Sequence, residues 1–230
     1  MYFDYFYYIS YLLIIAAAIF AFTMQANIKS TFRKYSKVPT IRGVPAHVIA
    51  RQILDSYGLY NVTVMRVEGE LTDRYDPRTN TVSLSDSTFF SSSVAAIGVA
   101  AHEVGHAVQY NKEYSPIVIR SLFAPAVQVG SSIWALIFVI GVAANIPILQ
   151  SVGIVLFFFV LLFQFITLPV EFDASRRAVK VMREQFLLGA DELQGAKKVL
   201  FAAAMTYVSS FLVTLMHFIR LVFLSGRRRR

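Results

Sequence analysis

Long uncharged stretches alternate with polar segments along the chain of 230 residues. Three of these stretches carry no charged residue and the fourth is nearly uncharged; they cover about residues 8–26, 122–145, 148–170 and 199–224. Each stretch is long enough for a helix to cross the hydrocarbon layer of a bilayer, which takes about 20 residues. The pattern therefore predicts about four membrane-spanning helices.

A short break at Asn145–Pro147 separates the second and third stretches, which predicts a helical hairpin that crosses the membrane and returns. The fourth stretch contains His217 and Arg220, and four arginines from Arg227 to Arg230 follow it. A full fourth crossing would carry these arginines away from the side that basic residues prefer. A bent, re-entrant or partly inserted segment is the open alternative.

The first stretch is predicted to be a retained anchor rather than a secretory signal. No basic residue precedes it, and no clear cleavage site of small residues follows it. The aromatic residues before it, from Tyr2 to Tyr8, resemble the aromatic belts found at membrane surfaces.

Two polar segments, about residues 40–115 and 171–198, are predicted to form the part of the protein outside the membrane. Apolar spacing predicts a helix from Pro45 to about Gly58, and alternation predicts short strands. A turn-rich stretch lies between the strands, and further helices are expected around residues 91–111 and 172–186. The predicted strands are Asn61–Val67 and Thr81–Ser85.

His102, Glu103 and His106 form the pattern HEVGH inside a segment of small, apolar residues that is predicted to be a buried helix. Histidines four residues apart project from one face of a helix and can bind one Zn²⁺. Glu103 lies beside the first histidine, where a carboxylate can take a proton from water. A chance occurrence of the pattern is the alternative, and the small apolar context argues against it.

Catalytic zinc usually has three protein ligands and one open position, so a third ligand is needed. The chain has no cysteine, and its other histidines are His47 and His217. The metzincin continuation fails, because Gln109 and Lys112 stand where glycine and histidine are required.

Glu171 is the best candidate for the third ligand. It follows a long apolar stretch and is expected to open a polar helix, since Pro169 suits a helix start or a kink. Asp173 is the local rival, and it could instead orient a ligand histidine through a hydrogen bond.

These motifs resemble the YugP-like family of bacterial membrane zinc metallopeptidases, and the resemblance covers nearly the whole chain. More distantly the chain is similar to the HtpX and Ste24 membrane gluzincins, which pair HExxH with a downstream Glu-x-x-Ala-Asp. Ser175 stands where that aspartate is usual, and Asp173 is a possible substitute. The segments that carry the resemblance are Tyr75–Arg78, Val82–Ser85, Val99–Gln109 and Leu168–Ala178.

The resemblance implies a fold and an activity. We expect a mainly α integral membrane protein, built as a single membrane-embedded domain over residues 1–230. About four apolar helices would be joined to a small α+β, zincin-like catalytic part with a short sheet. The expected activity is that of a gluzincin-like, zinc-dependent endopeptidase.

In the expected mechanism, His102, His106 and Glu171 hold one Zn²⁺. Glu103 is the general base and later returns its proton to the leaving amine. Thr81–Ser85 is either an edge strand that pairs with substrate or an ordinary internal strand. The candidate donors to the oxyanion are His47, Tyr75, Arg176 and Arg177.

Basic residues predict the orientation. They follow the first span and are absent before it, which places the catalytic segments in the cytoplasm. The expected location is the bacterial inner (cytoplasmic) membrane, with protein or peptide substrates that include membrane proteins. The basic residues concerned are Lys29, Arg33, Lys34, Lys37 and Arg42, and later Lys180, Arg183, Lys197 and Lys198.

Composition excludes other classes of function. The chain is 56% hydrophobic and only 16% charged, unlike soluble domains. Its net charge of +8 comes from residues that flank membrane spans, so nucleic-acid binding is not predicted. A non-catalytic zinc-binding scaffold or sensor, and a metal transporter, are the remaining alternatives. Glu103 argues against the scaffold, and the position of the histidines outside the apolar stretches argues against the transporter.

Overall fold

The computed structural model describes the backbone of residues 2–227 and the side chains of residues 8–225. This part of the chain is mainly helical, with a small three-stranded sheet, as the sequence predicts. The helices are α1 (Tyr2–Tyr35), α2 (Ala46–Ser56), α3 (Val94–Asn111), α4 (Ser115–Ala143), α5 (Pro147–Glu184) and α6 (Ala190–Arg227). The strands are β1 (Thr63–Val67), β2 (Arg74–Asp76) and β3 (Thr81–Ser85).

Four of the described helices, α1, α4, α5 and α6, are long and apolar enough to cross a membrane. This confirms the number of long apolar helices expected from the sequence. The last apolar stretch lies within one unbroken helix, α6, which ends at Arg227, and the final arginines lie outside the described residues.

Helix α5 corrects one expectation about the site. We expected a new helix to begin near Phe172, but α5 runs from Pro147 to Glu184 with Pro169 in its interior. Proline removes one helical hydrogen bond, and packing on the following turns can still hold the helix together. Val170 and Ala174 on these turns are fully buried.

The chain divides into two compact units, which are described separately. One comprises residues 2–24, 118–168 and 206–227 of the described part, and the other comprises residues 25–117 and 169–205. A single domain over residues 1–230 stays a prediction.

In the first unit, α4 and α5 form the predicted hairpin. Asn145 adopts a left-handed φ of 56°, and the Ile146 amide donates to the Gly141 carbonyl at 2.8 Å. Gly153 lets the two helices approach closely, because a Cβ there would lie 2.8 Å from the Phe138 side chain. Tight packing at the turn therefore fixes the hairpin.

In the second unit, the sheet has the order β1-β3-β2, with β3 parallel to β1 and antiparallel to β2. Strand β3 is central and its five residues are all buried. The interpretation of Thr81–Ser85 as an edge strand was therefore wrong, and its internal alternative is confirmed. Strand β2 was missed, because Arg74–Asp76 is short and polar and gives no apolar alternation.

Helix α3 is the central element of this unit. Its first turn is capped by Ser93, whose Oγ accepts a hydrogen bond from the Ala96 amide at 3.3 Å. Most of the helix is buried, and Val104 packs in a core with Ile53 of α2 and Met182 of α5. The HEVGH motif therefore lies on a rigid, enclosed helix.

Candidate metal centre

The two histidines of the motif lie on adjacent turns of α3. The ring centroids of His102 and His106 are 4.7 Å apart, and the planes are inclined at 82°. Only 13% and 11% of their side-chain surfaces are exposed. Both imidazoles therefore face the same largely buried space.

Glu171 reaches this space from α5. Its Oε2 atom lies 3.3 Å from His102 Nε2 and 3.6 Å from His106 Nε2. The side chain is 3% exposed. Among the described residues, these three form a group whose ligand atoms all lie within 4.8 Å of one another.

The donor set fits zinc. Two imidazole nitrogens and one carboxylate oxygen are a common ligand set for catalytic Zn²⁺. Ligands at about 2.0–2.1 Å in tetrahedral geometry lie roughly 3.3 Å from one another. The separations of 3.3 Å and 3.6 Å between Glu171 Oε2 and the two Nε2 atoms are close to this value.

A glutamine next to the motif determines the orientation of His106. Gln109 is fully buried, and its Nε2 donates to the Val170 carbonyl at 2.8 Å and to Asp173 Oδ2 at 2.9 Å. Its Oε1 must then accept from His106 Nδ1, 3.0 Å away. The tautomer that results leaves the lone pair of His106 Nε2 directed at the site.

Ser175 supports the other histidine. Its Oγ lies 3.2 Å from His102 Nδ1, so the residue that stands in place of the usual aspartate still contacts a histidine of the motif. Asp173 lies outside the ligand cluster and acts on His106 only through Gln109. Sequence analysis missed Gln109, although its position three residues after His106 places both on one helix face.

Close contact between the backbones of α3 and α5 brings the three candidate ligands together. A Cβ at Gly105 would lie 2.8 Å from the Ala174 carbonyl oxygen, so only glycine fits there without a shift. Ala174 itself is fully buried. The small residues around the motif therefore permit α5 to lie against α3, as the sequence indicates.

Glu103 is a buried carboxylate beside the cluster that is not part of it. Burial raises its pKa, and the nearby His102 and His106 only partly oppose this. The site thus contains a base whose proton affinity exceeds that of an exposed glutamate.

The other candidates from the sequence are engaged elsewhere. His47 Nδ1 lies 2.8 Å from the Phe89 carbonyl, and its ring stacks on that of Phe89. The Tyr75 hydroxyl donates to Asn80 Oδ1 at 2.9 Å. Arg177 pairs with Asp173, Arg176 is exposed, and His217 belongs to the other unit.

Comparisons with known proteins agree with this chemistry. Residues 10–226 match the model of a family described as "Putative neutral zinc metallopeptidase". The chain belongs to this family. It is 43% identical over 217 residues to the "Putative membrane protease YugP" of Bacillus subtilis (strain 168), which covers 94% of this chain and 96% of that protein. No solved structure matches the chain.

Membership of the family and the four apolar helices together identify a multi-pass membrane protein of a zinc metallopeptidase family. The resemblance to the YugP-like family that the sequence motifs indicated is confirmed.

If Glu171 is a ligand, substitutions of two glutamates on α5, Glu171 and Glu184, should differ in their effect on zinc affinity. Glu171→Gln should lower zinc affinity by at least ~10²-fold, because it removes a charged oxygen ligand. Glu184→Gln is the matched control, since that side chain is exposed and pairs with Lys180 at 3.8 Å. Zinc affinity is measured by competition with a chelator. Equal affinities for wild type and Glu171→Gln would exclude Glu171 as a ligand.

Proposed function

We propose that the protein is a membrane-bound zinc endopeptidase of gluzincin-like design. His102, His106 and Glu171 hold one Zn²⁺, and Glu103 is the general base. The observation that carries the proposal is the buried cluster of two imidazoles and one carboxylate, with a second carboxylate beside it that is not needed as a ligand.

The chemistry that Zn²⁺ supplies when bound is polarisation of the scissile carbonyl and acidification of water. Glu103 accepts a proton from the attacking water and then delivers it to the nitrogen of the leaving amine. Glu103 follows His102 directly in α3 and its side chain is buried, which places this carboxylate beside the proposed metal position. Gln109 and Ser175 hold the two histidines in position throughout.

The outer edge of β2 is the proposed site for the substrate backbone. In the described part of the chain, β2 pairs with β3 on one side only. It runs beside α3, since the ring centroids of Tyr75 in β2 and Tyr110 in α3 are 6.2 Å apart. A peptide that paired with this edge would lie beside α3, which carries His102 and His106.

A non-catalytic scaffold would bind zinc without cleaving peptides. A variant of Glu103 distinguishes such a scaffold from an endopeptidase. Glu103→Gln should retain zinc and lose at least ~10²-fold in kcat, because the general base is removed. Glu113→Gln is the matched control, since that glutamate is exposed just beyond the end of α3. Cleavage of a fluorogenic peptide and zinc content are measured on the same samples.

Undiminished cleavage by Glu103→Gln would refute the assigned base. Wild-type protein that binds zinc and cleaves none of a broad peptide library would favour the scaffold.

Strand addition predicts a pattern in the substrate. N-methylation of alternate residues of a cleaved peptide should lower kcat/KM by about tenfold or more, because those amides would bond to the β2 edge. Methylation of the intervening residues should have a smaller effect, since their amides point to the other side. Equal effects at every position would contradict binding as a β-strand.

The site is proposed to act at the cytoplasmic surface of a bacterial inner membrane. Basic residues after the first span support this side, and the α4–α5 hairpin makes an even number of crossings between His106 and Glu171. A site close to the surface favours membrane proteins and their exposed loops as substrates.

Single cysteines test the orientation without interference, since the chain has none of its own. Glu70→Cys and Ala144→Cys are both at exposed positions. An impermeant thiol reagent applied to intact cells should label Ala144→Cys and leave Glu70→Cys unlabelled. The reverse pattern would contradict the cytoplasmic site. Arg228→Cys, which lies outside the described residues, would be labelled from outside if α6 crosses fully.

A further inference from the structure

A basic cavity lies in the second unit, between the last turns of α1 and the beginning of α6. Its volume is about 450 Å³, and it belongs to neither the metal cluster nor the β2 edge. Three lysines line it, together with two small polar side chains, two aromatic rings and one alanine. These residues are Asn27, Thr31, Lys34, Tyr35, Lys197, Lys198, Phe201 and Ala202.

Buried packing between the two helices fixes the base of the cavity. Ile28 and Phe32 of α1 pack with Val199 and Ala202 of α6 in one apolar cluster. Gly195 permits this contact, because a Cβ there would lie 2.7 Å from the Tyr35 ring. Packed side chains therefore form the base of the cavity, and four of its lining residues are exposed: Asn27, Lys34, Lys198 and Phe201.

The polar groups that face the cavity are suited to an anion. No aspartate or glutamate is among its lining residues. The Thr31 hydroxyl donates to Asn27 Oδ1 at 3.4 Å, which leaves the Asn27 amide NH₂ as a further donor. Three ammonium groups and an amide match the several acceptor oxygens of a phosphate.

The position of the cavity along the two helices points to a lipid. On α1 the uncharged stretch ends at Ala26, and the cavity residues Asn27 to Lys34 follow it directly. On α6, Lys197 and Lys198 come just before the apolar stretch that begins at Val199. Both helices therefore place their lysines where a membrane span meets the headgroup layer.

We infer that this cavity binds the phosphate-bearing headgroup of one anionic phospholipid. The lysines contact the phosphate. Phe201, which is 63% exposed and lies in the apolar stretch, packs beside the part of the acyl chains nearest to the headgroup. Basic pockets between membrane helices are a known means of recognising such headgroups. The inference depends on membrane insertion and not on the proposed peptidase activity.

The cavity also adjoins residues that pack against α3. Ala95 of α3 belongs to the same apolar cluster, and a Cβ at Gly98 of α3 would lie 3.3 Å from the Ala196 side chain. A lipid that holds α1 against α6 therefore stabilises the surface on which α3 rests.

Native mass spectrometry of the purified full-length chain in detergent tests the inference. The probes are dioleoylphosphatidylglycerol, dioleoylphosphatidylcholine and, as a free phosphate monoester, sn-glycerol 1-phosphate. The test variant is Lys34→Gln/Lys197→Gln/Lys198→Gln. The control, with the same change in charge at exposed positions outside the cavity, is Lys37→Gln/Lys180→Gln/Arg183→Gln.

Wild type should retain one molecule of phosphatidylglycerol, and the test variant should bind it about tenfold or more weakly. The control should stay within about twofold of wild type, because its charges do not face the cavity. The single change Lys198→Glu, at an exposed position, gives a second test in a variant that alters one side chain only.

Equal phosphatidylglycerol binding by wild type, the triple variant and Lys198→Glu would overturn the assignment. Equally tight binding of phosphatidylcholine would show that the charge is not recognised. Binding of sn-glycerol 1-phosphate as tight as that of the lipid would identify the cavity as a site for free phosphate instead.

Discussion

The contact between the backbones of α3 and α5 is the constraint on which the site depends. Gly105 and Ala174 let the two helices approach until a Cβ would lie 2.8 Å from the opposite carbonyl. The three candidate ligands lie within one helical turn of this contact: His102 and His106 on α3, and Glu171 on α5. A larger residue at position 105 would separate the imidazoles from the carboxylate, and the cluster would lose its third member.

Burial of two carboxylates favours a cation at this site. Glu171 and Glu103 are both almost completely buried, and an isolated buried carboxylate is costly. Two histidines only partly compensate for two carboxylates, whereas a doubly charged metal ion at the cluster would compensate for both. The hydrogen bond that His106 donates to Gln109, and the one between His102 and Ser175, orient the two imidazole rings with Nε2 toward Glu171.

Features with a strong local signal could be predicted from the sequence. The uncharged stretches predicted the four long apolar helices, and the break at Asn145–Pro147 predicted the hairpin between α4 and α5. HEVGH and Glu171 predicted the cluster of two imidazoles and one carboxylate. The features that the sequence did not predict depend on tertiary packing. Pro169 remains inside α5 because buried turns follow it, and β2 pairs through its backbone although its side chains are polar. The role of Gln109 needs α5 as its partner, which no local pattern shows.

X-ray absorption at the zinc edge, on protein loaded with one equivalent of metal, tests the central claim most directly. We expect two imidazole ligands and oxygen ligands at about 2.0–2.2 Å, as in catalytic zinc sites. The Glu103→Gln variant should give the same two imidazoles, since that residue is not a ligand. A spectrum with one imidazole, or with a shell of oxygen atoms alone, would contradict the assignment of His102 and His106.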